Sequence, residues 1–251
     1  MRFRSMLLAA VFAATTAHGQ SAADHIALGD REYAELHAMA AFNHYVEALK
    51  LDINNYDALW KAARSAVDRA TFDETGETQK KFFAIAETYA RGAVAANPGG
   101  AEGHFNLARS LGERALSVGV RQRVKLATEI HDEALTCLRI DPKHAGCLHV
   151  LGVWNAEIMR LNGFSRMIAR NVLGGRVFGS ASWADARKYI DAAVANEPTR
   201  IVHYVDAAAI YSDTGDKARA RELYQQALAL PISDYNDRRY KAQAAEALRA
   251  L

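Results

Sequence analysis

Small and large apolar residues recur along this chain at helical spacing and in a fixed phase. Near one end Ala207 and Ala208 precede Ala220, Tyr224 and Ala227, with Pro231 after them. Residues three and four apart share a helix face, so 220, 224 and 227 form a single stripe. The same order occurs near the other end, where Leu28 and Gly29 precede Ala41, Tyr45 and Ala48. Between these, Ala86, Ala90 and Ala93 lead to Pro98, Ile130, Ala134 and Cys137 to Pro142, and Ala186, Ile190 and Ala193 to Pro198. Proline cannot donate to the helical ladder, so each of these residues marks a helix end. The helices that follow supply Leu107 with Ala108 and Leu151 with Gly152.

Such phasing predicts an all-α chain of about five helix-turn-helix units, near 22–55, 56–100, 101–144, 145–200 and 201–234. The three central units exceed the ~34 residues of a plain unit. A last amphipathic stretch, 235–251, places Tyr240, Ala244, Ala247 and Leu248 on one face and is expected to cap the stack. Ala-rich amphipathic helices also build ordinary bundles. Phased copies that end in proline are more specific than amphipathicity, and they resemble the tetratricopeptide repeat (TPR), which implies a right-handed superhelix.

One segment departs from the plain repeat. From His149 to Tyr189 the chain places Gly152 and Trp154 on one helix and Arg166, Ile168 and Ala169 on a short inserted one. A turn with Ser180 and Ser182 follows, then Ala186 and Tyr189. Together with Glu102, His104, Phe105 and Ala108 upstream, and the run IDPKHAG at 140–146, this resembles the regulator of microtubule dynamics family. The resemblance covers nearly the whole chain after its first residues. It implies helical-repeat scaffolding without known catalysis and, in eukaryotes, association with microtubules and organelle membranes. The insertion from Leu161 to Trp183 is expected to fold onto the fourth and fifth units, because Phe164, Ile168, Val172 and Leu173 recur at helical spacing. Trp154 is expected to pack it in place.

The first residues bear on location. Arg2 and Arg4 precede an uncharged apolar run from Met6 to Ala14, and Ala17 and Gly19 are small residues two apart. That is the layout of a secretory signal peptide, so 1–19 is expected to be cleaved after Gly19 and 20–251 to form the helical domain. The run is shorter than the ~20 residues that span a bilayer. No cysteine follows the cut to carry a lipid, so the mature chain is expected to be soluble, without an integral membrane segment, and periplasmic or secreted. A mitochondrial presequence would also lack acids, as this stretch does before Asp24, but is richer in Arg. Export removes the chain from cytosolic tubulin, so the fold and binding mode carry over from the family and the microtubule role does not. A bacterial envelope member is the expected setting.

Composition narrows the partners. The 31 Lys and Arg residues against 29 Asp and Glu become equal once Arg2 and Arg4 are removed, so a phosphate-binding excess is absent and nucleic acid is excluded as the expected partner. No GxxxxGK[ST], HExxH, GxSxG or CxxC motif occurs, and the 9 histidines are scattered, so neither an enzyme nor a metal or other cofactor is expected. Gly174 and Gly175 before Arg176 read as a helix end rather than an anion loop.

What remains is the inner face of the superhelix, lined by the first helix of each unit. The phase of the small residues projects Trp60 and Arg64, then Phe105, Asn106, Arg109 and Glu113, then His149, Val153 and Glu157 onto it. Two aromatic-arginine pairs, Trp60 with Arg64 and Phe105 with Arg109, stand one turn apart. Such pairs suit a peptide carboxylate with an apolar neighbour; equally, the aromatics pack on the next helix and the arginines are solvated. If both arginines are solvated, replacing them by alanine shifts stability by no more than ~0.5 kcal/mol. A protein or peptide partner in this groove is the first reading. The alternatives are an amphipathic small molecule or lipid under Phe164 to Phe178 acting as a lid, and a basic cluster of Arg166, Arg170 and Arg176 that touches anionic lipid. Cys137 and Cys147 flank Pro142 at equal distance on helices expected to run antiparallel. They are either bonded or two small core residues.

Overall fold

The computed structural model describes residues 20–71 and 76–251, and the expected leader at 1–19 lies outside the described residues. These form twelve α-helices, with no strand among the described residues: α1 (Ala22–Ala34), α2 (Ala38–Leu51), α3 (Tyr56–Thr71), α4 (Gly76–Ala96), α5 (Ala101–Ala115), α6 (Val120–Ile140), α7 (Ala145–Arg160), α8 (Gly163–Asn171), α9 (Trp183–Asn196), α10 (Ile201–Asp213), α11 (Lys217–Ala229) and α12 (Asp237–Ala250). A 3-10 turn, Arg176–Ser180, joins α8 to α9.

Local chemistry sets the ends. Ser21 opens α1 with a reciprocal cap, its hydroxyl receiving the Asp24 N–H while the Asp24 carboxylate receives the Ser21 N–H. Pro98, Pro142, Pro198 and Pro231 each stand two residues past the last residue of α4, α6, α9 and α11. After α10 the chain turns through Gly215 at φ 85°; the corresponding position after α1 is Leu36, held at φ 64°, where a side chain is strained.

The helices pack as hairpins, α1 on α2, α3 on α4, α5 on α6, α7 on α9 and α10 on α11. The seam of each hairpin is the stripe of small residues. Ala41, Tyr45 and Ala48, Ala86, Ala90 and Ala93, and Ala186, Ile190 and Ala193 are all fully buried. Gly152 shows why small residues are needed: a Cβ there would stand 3.0 Å from the backbone nitrogen of Ile190. First helices also touch their successors, α3 beside α5, α5 beside α7 and α7 beside α10, so the hairpins stack into a superhelix with an inner layer of first helices. Helix α12 covers α10 and α11, burying Ala244.

The insertion is folded, but not as its apolar spacing suggested. Phe164 and Val172 are each 70% exposed, and the residues that anchor it are Ala169 and Phe178. It packs on the fourth unit through α7, as expected, but its other neighbours are α5 and α6 of the third unit rather than the fifth, with Phe178 edge-on to Trp154 and Gly175 against Val124. The Trp154 indole N–H donates to the Ala127 carbonyl at 2.7 Å and so ties α7 to α6. At nine residues α8 has room for only one anchored turn, and Ala169, not Phe164, faces the core. Cys137 and Cys147 form a disulfide across the turn between α6 and α7, with Cα atoms 6.4 Å apart.

Candidate functional site

The floor of the inner layer is polar and buried. Asp68, one turn after Arg64 on α3, is fully buried and accepts from Arg109 of α5 at 2.6 Å, from the Tyr33 hydroxyl of α1 at 2.8 Å and from the Asn236 amide at 3.3 Å. Burial alone would raise the Asp68 carboxyl; the Arg109 charge and these hydrogen bonds outweigh it and hold the carboxyl below its ordinary value. Asp234, 3% exposed, pairs with Arg200 at the start of α10 at 2.8 Å. Burial pushes the Asp234 carboxyl up and the neighbouring Asp68 adds to the shift. Two carboxylates and two guanidinium groups from four places in the chain thus meet at one point.

Asp234 and Asn236 do not belong to a helix. They lie on the segment between α11 and α12, which returns into the groove and crosses the floor. Asn236 N–H donates to Asp234 Oδ1 at 3.1 Å, and Asp237 Oδ2 receives the N–H groups of Ser233 and Asp234 at 2.8 and 2.7 Å, so the segment fixes its own bend. Arg239, in the first turn of α12, donates to the Thr71 carbonyl at the end of α3.

Some atoms of the floor stay unpaired. Arg64 Nε, Ser65 Oγ, Asn106 Oδ1 and Asn236 Oδ1 are buried without a hydrogen-bond partner among the described residues. Each such atom costs about 1–3 kcal/mol if nothing pairs with it. Arg64 spends its guanidinium on aromatic faces, 3.5 Å from the Tyr33 ring centre and 5.0 Å from that of Trp60.

Toward α10 the floor continues as a chain of ionisable groups. His203 Nε2 meets Glu197 at 3.1 Å, His203 Nδ1 lies 2.9 Å from His149 Nδ1, and His149 Nε2 meets Asp206 at 3.1 Å. One of the two facing nitrogens carries the proton and the other accepts it, so the pair holds as long as both rings are not doubly protonated. Burial pushes His203 down to about 4 against the opposing pull of Glu197, and His149 adds to the lowering.

The residues projected from sequence therefore divide. Arg64, Arg109, Asn106 and His149 sit on or beside the floor. Glu113 lies within the field of Arg109 and Arg239, with burial raising its carboxyl. Arg109 is not solvated: its side chain is 18% exposed and its charge is committed to Asp68. Arg64 is half-buried, with its Nε shielded from solvent. Curvature brings α1, α3, α5 and the 234–236 segment together and excludes the water that an isolated helix face would have. Trp60 donates to Asp57 at 3.1 Å on its own helix. Phe105 packs on the start of α7, against Gly146 and 5.0 Å from the His144 ring. Glu157 is exposed and pairs with Arg160, away from the floor. Tyr33, Asp68, Arg200, His203, Asp234 and Asn236 were missed. Asp68 was legible, since it extends the stripe of Trp60 and Arg64 by one more turn. The others carry no periodic signal.

Two further groupings lie off the floor. Met159, Met167, Phe178 and Ala181 line a cleft of about 340 Å³ beside α8, rimmed by Arg166 and Arg170. Arg166 donates to the Met159 sulfur and Arg170 to Asn171, and neither has a carboxylate partner among the described residues. Cys137, His144 and Cys147 gather their donor atoms within 4.8 Å, but the sulfurs are bonded to each other and His144 Nδ1 accepts the Cys147 N–H as the cap of α7.

Stacked helical hairpins with a polar inner face define a TPR-like scaffold. The structure is similar to that of TTC0263, a thermophilic TPR protein in Thermus thermophilus, with a TM-score of 0.62 at 18% identity over 90% of this chain and 100% of that one. Within that class the chain belongs to the regulator of microtubule dynamics family: the family model described as Regulator of microtubule dynamics protein 1-3 matches residues 21–251. Regulator of microtubule dynamics protein 1 of Bos taurus is 25% identical over 197 residues, 78% of this chain and 62% of that protein. Regulator of microtubule dynamics protein 3 of Xenopus laevis is 24% identical over 211 residues, 81% of this chain and 45% of that protein. The chain thus spans less than two thirds of the length of these relatives. Fold and family together suggest a protein-interaction scaffold. No helix among the described residues is long and apolar enough to cross a membrane.

Proposed function

We propose that this protein is an exported, non-catalytic scaffold that holds an extended segment of a partner protein against the floor formed by Arg64, Asp68, Arg109 and Arg200. The observation that carries the reading is the floor itself, which already grips a non-helical stretch of chain through side-chain hydrogen bonds and ion pairs. Such contacts suit a peptide backbone with polar side chains and offer nothing to an alkyl chain. Export is supported by the disulfide between the only two cysteines, a bond typical of oxidising compartments. The microtubule role in the relatives' names is not part of this reading, because an exported chain is removed from cytosolic tubulin.

The test is photocrosslinking in envelope fractions with a reactive side chain at Trp60, on the groove, or at Leu135, on the outer face. Protein adducts confined to position 60 support the groove, and adducts only at position 135 overturn it. Amino-terminal sequencing of the mature chain checks export: a start at Gln20 supports it, and an intact Met1 overturns it. A second reading, an amphipathic anion in the cleft beside α8, is favoured by the two arginines there without carboxylate partners. Native mass spectrometry would find a co-purifying small molecule, released by replacing Arg166 and Arg170.

A further inference from the structure

The groove already has an occupant, and its chemistry is informative. Residues 231–236 leave α11 at Pro231 and enter the groove without secondary structure of their own beyond a turn. Pro231, Ile232 and Ser233 stay exposed, while Asp234 and Asn236 are buried against residues as far as 168 and 201 positions away in sequence. No residue of this stretch belongs to the apolar clusters that hold the hairpins together. It is held by its polar side chains, as a ligand is. Among the described residues Asn236 Oδ1 meets no donor, and Arg64 Nε and Asn106 Oδ1 on the surrounding helices have no hydrogen-bond partner.

We propose that residues 232–236 are an intramolecular stand-in for the partner, and that the floor therefore selects an extended segment bearing a carboxylate two residues before a carboxamide. The carboxylate takes the place of Asp234 between Arg200 and Tyr33, and the carboxamide takes that of Asn236 on Asp68. This rests on the groove reading above and names the chemistry of its ligand. A tethered segment competes at an effective concentration in the millimolar range, so a free peptide of the same sequence binds the intact chain weakly and a released one much better.

The experiment uses the full chain with Asp234→Ala and Asn236→Ala, and a fluorescein-labelled peptide of residues 230–236 followed by anisotropy. The double variant should bind the peptide at least tenfold more tightly than the unaltered chain. A peptide lacking the carboxylate should lose that binding, as should the double variant with Arg200→Ala added. Equal weak binding by both chains, with helical circular dichroism retained, would overturn the proposal. Should the variant fail to fold, hydrogen exchange on the unaltered chain replaces it. Millimolar peptide should then speed exchange of the backbone at 233–237, and unchanged exchange overturns the proposal. If the peptide fails while a partner still crosslinks at position 60, the template falls and the groove stands; if both fail, the groove reading falls too.

Discussion

Along the seam between α1 and α2 the buried side chains are Ala41, Tyr45 and Ala48; on the floor where α3 and α5 face inward they are Asp68, Asn106 and Arg109. The seam joins neighbours in sequence through apolar contact and leaves no room for larger groups. The floor joins Asp68 to Asn236 across 168 positions, buries two carboxylates and partly buries the two guanidinium groups paired with them. Desolvating such groups costs about as much as their attraction returns, so a floor of this kind is poor evidence of stability. The contrast teaches that the hairpins are held by apolar seams between sequence neighbours, whereas the floor is a polar network assembled from distant parts of the chain.

The largest effect expected from that contrast is at Arg109. Removing it as Arg109→Ala strands the buried Asp68 carboxylate and should cost about 3–5 kcal/mol, measured by urea unfolding. The paired change Arg109→Met with Asp68→Leu should restore most of the loss, because no charge is then left behind. If both variants lose equally, packing rather than charge holds the floor. Solvation of Arg109, as read from the sequence, would have left the first variant unchanged.

Acid should separate the two regions next. His203 is held near 4 in the folded chain against an ordinary value of 6.5, so between these values the unfolded chain binds the extra proton. Its contribution is complete above pH 6.5 and is lost as pH falls toward 4, on the order of 3 kcal/mol in all. The groups facing it are Glu197, His149 and Arg200, with Asp206 beyond His149. His203→Gln should flatten thermal stability between pH 6.5 and 4, and an unchanged slope would place the acid sensitivity elsewhere.

A smaller effect belongs to the disulfide, which closes a loop of separation 10. Replacing both cysteines by alanine should cost about 2–3 kcal/mol. Alanine already fills the matching seam positions at Ala48, Ala93 and Ala193, so packing survives and the loss measures the bond alone. Thiol counting on unfolded, unreduced protein should find no free thiol. The smallest effect runs the other way. Leu36→Gly relieves a left-handed residue at the place Gly215 fills in the last hairpin, and should raise stability by about 0.5–1 kcal/mol in a melting experiment.

The amino-acid sequence by itself determined the helices, their ends and the seams. Prolines, caps and i, i+3, i+4 stripes act within a few residues, so Ala86, Ala90 and Ala93 could be assigned to a seam without knowing the fold. Membership of the family was legible in the same way, from the stretch around Trp154. The inner face was legible only as a direction. Arg64, Asn106, Arg109 and His149 lie on or beside the buried network, but whether water reaches them depends on curvature, which sums the rotation between successive hairpins and is set by all of them at once. The same curvature brings Asp234 and Asn236, on a segment with no periodicity, onto α3. It turned a row of separate aromatic and arginine pairs into one buried network. In the insertion, tertiary packing chose Ala169 and Phe178 over Phe164, since the space between α6 and α7, not the spacing of apolar residues, decides which side of a short helix is covered.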